Sequence, residues 1–189
     1  MLKISVMVSG GGTNFQAIID GVKSGEISDA EIVQVISSSS KAFALERAAN
    51  NGIPGYVMDH REPEKIIERL KAEGTDLIVL AGYMKVLDSS IIQAYRGRII
   101  NIHPSLIPKF CGKGFYGMRV HEAVIDAGEK ESGATVHYVD EGIDTGEIIA
   151  QEKVPVLAGD TAEDLAARVL EVEHKILVNA VKGIALKQK

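Results

Sequence analysis

Asn101 and His103 stand two residues apart at the end of an apolar run, residues 98–103, that stops at Pro104. Successive side chains of a strand point to opposite faces, so a strand here sends both polar groups to one face and Ile102 to the other. An asparagine beside a histidine can serve acyl chemistry. The amide N–H donates to a developing oxyanion, and an imidazole with a reference pKa of about 6.5 moves protons near neutrality. The same pair could instead be polar groups that merely cap a strand end. Asp144, set between Ile143 and Thr145-Gly146, is an acid able to orient and charge His103 as triad acids do, or else a turn-forming Asp. Thr135 and His137 again share one face of a strand, the histidine lining the same centre or lying half-buried.

A second chemical feature is Gly10-Gly11-Gly12-Thr13-Asn14, between the first apolar run and the first helical pattern. Free N–H groups at a helix start, backed by the helix dipole, bind anions, and glycine lets backbone approach them closely. A dinucleotide fingerprint fails here: counted from Gly10, the third glycine falls at Phe15, and Ser37 to Ser40 stand where the ribose-binding acid belongs. No Gly-Lys-Ser/Thr follows, so it is not a P-loop. A monophosphate on a small substrate fits best, with a plain strand-to-helix turn as the alternative.

Other chemistries find little support. There is no G-x-S-x-G elbow, and Cys111, the one cysteine, reads as a loop residue without an evident partner. It leaves no intrachain disulfide and points to a reducing cytoplasm. His121 and His174 fall on helical patterns and His60 in a loop. No histidine pair has metal-ligand spacing on one element, so no metal is expected. The net charge is −5, from 21 Lys and Arg against 26 Asp and Glu, which speaks against a nucleic-acid partner. No apolar run nears the roughly 20 residues of a membrane span, and the start of the chain does not read as a signal peptide.

The elements that must position these residues alternate. Short apolar runs at 2–8, 32–36, 56–58, 76–80 and 98–103 are separated by amphipathic stretches, the first marked by Phe15, Ile18, Ile19 and Val22. Near-continuous apolar strands between helices predict an α/β fold, a Rossmann-like parallel sheet covered on both faces. Residues 104–120, rich in Pro and Gly, read as a long loop, followed by a helix over 119–127. Strands at 135–140 and 147–154 predict an antiparallel hairpin, and Asp160 with Glu163 a capping box that opens a long C-terminal helix. With 189 residues, 46 % of them apolar, one domain over 1–189 is expected.

The segment Asn101-Ile102-His103-Pro104-Ser105-Leu106-Ile107-Pro108, with Asp144 downstream, resembles the signature of the folate-dependent formyltransferases. Residues 9–18, 80–87, 133–149 and 154–169 resemble further blocks of that family, so the likeness covers essentially the whole chain. It implies a single formyltransferase domain, and formyl transfer from 10-formyltetrahydrofolate, as co-substrate, to the amine of glycinamide ribonucleotide in purine biosynthesis. The attack would be direct, through a tetrahedral intermediate, with no metal. Asn101, His103 and Asp144 match the family's catalytic residues, Asp144 raising the His103 pKa. Gly12, Thr13 and Asn14 match its phosphate contacts, and Glu173 a ribose contact. Thr135 and His137 match polar residues at the reacting centre. Met84, Lys85 (where Arg is frequent), Val86, Leu87, Asp140, Glu141, Gly142 and Ile143 match the pterin pocket. The partners implied are small molecules, with the chain as monomer or homodimer. Formyl-folate hydrolysis and a nucleotide-binding module remain the alternative functions.

Overall fold

A computed structural model describes residues 1–187. The chain runs β1 (Leu2–Val8), α1 (Thr13–Lys23), β2 (Ala30–Ser37), α2 (Phe43–Asn50), β3 (Gly55–Val57), α3 (Pro63–Ala72), β4 (Leu77–Leu80), α4 (Ser89–Ala94), β5 (Ile99–His103), α5 (Met118–Asp126), β6 (Glu131–Tyr138), β7 (Ile148–Pro155) and α6 (Ala162–Lys187). The strands form one sheet in the order β3-β2-β1-β4-β5-β6-β7. The first five are parallel, and β6 and β7 add on antiparallel. The expected α/β class, parallel sheet and terminal antiparallel strands are all present.

The period-2 alternation of the strands divides the core. Ile4, Val6, Val79, Ile100 and Ile102 face one layer, shared with Phe15 and Ile18 of α1 and Leu177 of α6. Met7, Ile78, Leu80 and Ile99 face the other, under Ile66 and Leu70 of α3 and Ile91 of α4. Each fully buried aliphatic side chain contributes about 1.5–3 kcal/mol. Asn101 and His103 share the parity of Ile99, so they emerge on the α3–α4 face. Ile102 goes to the opposite layer, as its spacing requires.

Helix α4 is capped by Asp88, whose carboxylate accepts from the Ser90 N–H at 2.9 Å. Local chemistry shifts two boundaries from the sequence expectations. The box opening α6 lies one residue later than expected. Thr161 Oγ1 accepts from the Asp164 N–H at 3.2 Å while Asp164 accepts from the Thr161 N–H at 2.9 Å. Asp160 is instead held by a two-pronged contact from Arg168, at 2.6 and 3.0 Å. Strand β6 begins at Glu131, ahead of its β-branched residues, because pairing with β7 overrides weak local propensity. Gly133 permits that pairing: a Cβ there would lie 2.1 Å from the Glu152 carbonyl oxygen.

Candidate active site

The chain leaves β1 toward β2 and β3, then returns to β4 on the other side of β1. Ligands of open α/β sheets bind at such a reversal, beyond the carboxyl ends of the strands. The glycine loop follows β1, residues 81–88 follow β4, and Pro104 follows β5, so the three candidate segments meet at this edge. Two hydrogen bonds join the first two: Ser9 N–H to the Gly82 carbonyl at 3.1 Å, and Met84 N–H to Ser9 Oγ at 2.8 Å.

Strand β6 completes the centre through its register, which sets His137 opposite Asn101 and Thr135 opposite His103. Asp144, reached by the loop after β6, lies between the two imidazoles. Its carboxylate is 3.7 Å from His103 Nδ1 and 3.5 Å from His137 Nε2, and it accepts from the Gly112 N–H at 3.0 Å. Its backbone takes a left-handed conformation, with φ of 58°.

The ring protons follow from the acceptors around them. His103 Nε2 lies 2.9 Å from the Phe110 carbonyl oxygen, which can only accept, so Nε2 carries a proton. The lone pair of neutral His103 is then on Nδ1, the side of Asp144. His137 Nδ1 donates to the Tyr138 carbonyl at 2.8 Å. In its neutral form Nε2 therefore accepts from Asn101 Nδ2, 3.2 Å away, which leaves a second Asn101 N–H unused by that contact.

A cavity of about 320 Å³ opens at this centre. Asn101, His103, His137 and Asp144 line it together with both stretches expected for the pterin, Met84, Lys85, Val86 and Leu87 on one side and Asp140 to Ile143 on the other. Thr135 is not among the lining residues. It is fully buried, and its hydroxyl donates to the Ser105 carbonyl at 2.6 Å, so it braces the turn after β5 rather than facing the reacting centre. On the glycine-loop side, Gly12 is the N-cap of α1 with φ of 72° and no side-chain cap. The first-turn N–H groups of Thr13 and Asn14 are thus open to an anion. The Asn14 side chain is committed elsewhere, donating to buried Glu173 at 2.6 Å. No group of His, Cys, Asp and Glu suited to a metal ion occurs among the described residues.

Residues 2–181 match the formyl transferase family model. The chain belongs to the formyl transferase family. It is 43 % identical over 96 % of its length to a chloroplastic phosphoribosylglycinamide formyltransferase of Vigna unguiculata, and spans 60 % of that protein. It is 41 % identical to the phosphoribosylglycinamide formyltransferase of Haemophilus influenzae, covering 96 % of this chain and 86 % of the relative. The crystal structure of glycinamide ribonucleotide transformylase 1 from Symbiobacterium toebii superposes with a TM-score of 0.92 at 41 % identity, covering 99 % of this chain and 89 % of the other.

Electrostatics at this site depart from one expectation. Asp144 does pull the His103 pKa upward, but burial outweighs both that charge and the Phe110 carbonyl, so His103 lies below its ordinary value. Its resting form near neutral pH is the neutral ring. Burial would raise Asp144, yet the histidine rings when protonated and the Gly112 N–H together hold it below the usual carboxylate range, so it stays ionised. Burial lifts Glu173 above the carboxylate range against the pull of Asn14.

His121, on α5, is a buried histidine that lines no part of the cavity. Burial, with a smaller contribution from His103, pushes its pKa down to about 4, and its Nδ1 finds no hydrogen-bond partner among the described residues. The unfolded chain binds a proton at this residue near pH 6.5 and the folded chain only near pH 4, so stability is full above the first value and falls as pH drops between them. The expected loss is on the order of 3 kcal/mol. Urea titrations across that range should show a flatter acid dependence for His121→Phe. An unchanged dependence would remove His121 as its source.

Sequence reasoning missed several contributors. Arg47 Nε donates to the Gly11 carbonyl at 2.8 Å, bringing a cation to the glycine loop from α2. Phe115 and Tyr116 line the cavity from the loop before α5. The Phe110 contact is a backbone carbonyl, which no residue type announces.

Proposed function

We propose that the chain transfers a formyl group from 10-formyltetrahydrofolate to the amine of glycinamide ribonucleotide. The observation that carries this reading is the joining, through Ser9, of an open anion-binding helix start to a cavity holding Asn101, His103, His137 and Asp144. The folate's pterin occupies the cavity between residues 84–87 and 140–144. The acceptor's phosphate sits at Gly12, Thr13 and Asn14, with Glu173 near its ribose. The amine attacks the formyl carbon, and the resulting oxyanion takes the free Asn101 N–H. Neutral His103 receives the amine proton at Nδ1, the imidazolium is held by ionised Asp144, and the proton passes on to N10 as it departs. This order replaces a resting imidazolium, because burial keeps His103 neutral before attack.

Mixing the protein with 10-formyl folate and the ribonucleotide, and following the folate absorbance, tests the reading. Change that requires both substrates is expected. Change without the ribonucleotide would mean hydrolysis, and no change with either would overturn formyl transfer.

The phosphate assignment has its own test. A Cβ at Gly12 would lie 2.6 Å from Ala44 Cβ, so substitution there disturbs the packing of α1 on α2 as well as any ligand. At Gly11 a Cβ meets no protein atom within 4 Å. Gly11→Val should therefore fold normally and raise the acceptor KM by about 10–100-fold, the equivalent of one charge-assisted hydrogen bond of roughly 1.5–3 kcal/mol. The folate KM should stay unchanged. Equal changes in both constants would dissociate this loop from the phosphate.

A further inference from the structure

Neutral His103 has one ring proton and two acceptors that compete for it. The Phe110 carbonyl takes it at 2.9 Å from Nε2, whereas the Asp144 carboxylate, the stronger acceptor, stands off at 3.7 Å from Nδ1. A proton on Nδ1 would remove the lone pair from the cavity side and leave it on Nε2, buried toward the turn. The outcome thus rests on how firmly the Phe110 carbonyl is presented. Phe110 holds a left-handed backbone with φ of 50°, a conformation that a bulky side chain adopts only when its surroundings impose it.

Those surroundings are a small polar lattice. Ser105 Oγ donates to the Lys109 carbonyl at 2.6 Å, and the Lys109 N–H to the Leu106 carbonyl at 3.0 Å. Thr135 Oγ1 donates to the Ser105 carbonyl at 2.6 Å and accepts from the Ile107 N–H at 3.3 Å. From β7, outside the cavity, Gln151 Nε2 donates to Thr135 Oγ1 at 2.9 Å and to the Ile107 carbonyl at 3.0 Å. The Gln151 amide therefore closes the lattice from the exposed edge of the sheet by tying Thr135 Oγ1 to the Ile107 carbonyl, while the Ser105 carbonyl, which can only accept, fixes the direction of the Thr135 hydroxyl.

We propose that Gln151 is a positioning residue: through Thr135 and the 105–110 turn it aims the Phe110 carbonyl at His103 Nε2 and so keeps the lone pair of His103 on Nδ1, where the reaction uses it. Its mechanistic consequence rests on the formyl-transfer reading, while the proton position on the ring can be measured without any substrate.

The test is Gln151→Leu, which keeps an exposed side chain of similar length and deletes the donor. Long-range proton–nitrogen spectra of the imidazoles, recorded without substrate well above the His103 titration, should give Nε2–H for the wild type and a measurable Nδ1–H share for the variant. The kcat should fall about tenfold, short of the roughly 10²-fold that a full 1 Å misplacement can cost, with both KM values within about twofold. Thr135→Val, which removes the hub of the same lattice, should reproduce the spectral change. An unaltered His103 tautomer in both variants would overturn the proposal. So would a kcat loss in Gln151→Leu matched by equal losses in both KM values and a lowered Tm, the mark of a merely structural residue. A wild type that transfers no formyl group would sink the reading of function while the spectra still decide the role of Gln151.

Discussion

Replacing His103 by alanine is expected to lower kcat by about 10²–10⁴-fold, the contribution typical of a general acid–base group, while the fold persists. His103 is 5 % exposed at the end of β5, on the face away from Ile100 and Ile102. Its removal therefore leaves the main layer of the core intact, and the sheet register does not depend on it. Both KM values should change little, because the segments proposed to hold the pterin and the phosphate are others. The check is a steady-state measurement beside a thermal melt. A variant of normal stability and near-normal kcat would take His103 out of the chemistry.

Asp144→Asn should lower kcat by at least about 10²-fold and move the acidic limb of the pH–rate profile to lower pH. The direction follows from the balance at His103. Burial depresses its pKa and the Asp144 carboxylate partly restores it, so without that charge the pKa falls further. His103 must be neutral to accept the amine proton, so the variant stays active at pH values where the wild type is already protonated, though at a lower plateau. The plateau drops because the imidazolium formed during attack loses its counter-charge. His103 and Asp144 titrate as a pair, so the measured limbs belong to both. If neither the rate nor the limb moves, Asp144 is a turn residue and another acid must stabilise the imidazolium.

Much of this site was legible because its key residues sit on regular elements. Period-2 geometry placed Asn101 and His103 on one face, and the same rule paired Thr135 with His137. Glycine chemistry marked the loop that opens α1, whose N-cap Gly12 has no side-chain cap, without any knowledge of the sheet order. What escaped depended on the third dimension. Thr135 has the right parity for the reacting centre, yet its hydroxyl is spent on Ser105, a demand created by a turn that only the folded chain brings close. The charge state of His103 was misjudged because sequence reveals the neighbouring acid but not the depth of burial that outweighs it. The box at α6 slipped by one residue since Asp160 had a better partner in Arg168, eight residues on.

The backbone of Asp144 has a bearing on how this position can change. A left-handed φ at a loop residue admits glycine freely and asparagine or aspartate at little cost, and resists most other side chains. Glutamate would keep the charge but strain the chain, and glutamine would do neither job. Of the residues the backbone accepts readily, only aspartate is an anion. A drift to asparagine or glycine would pass every test of folding and expression while emptying the site of its counter-charge. Loss of function at this position would therefore arrive without the warning of an unstable protein.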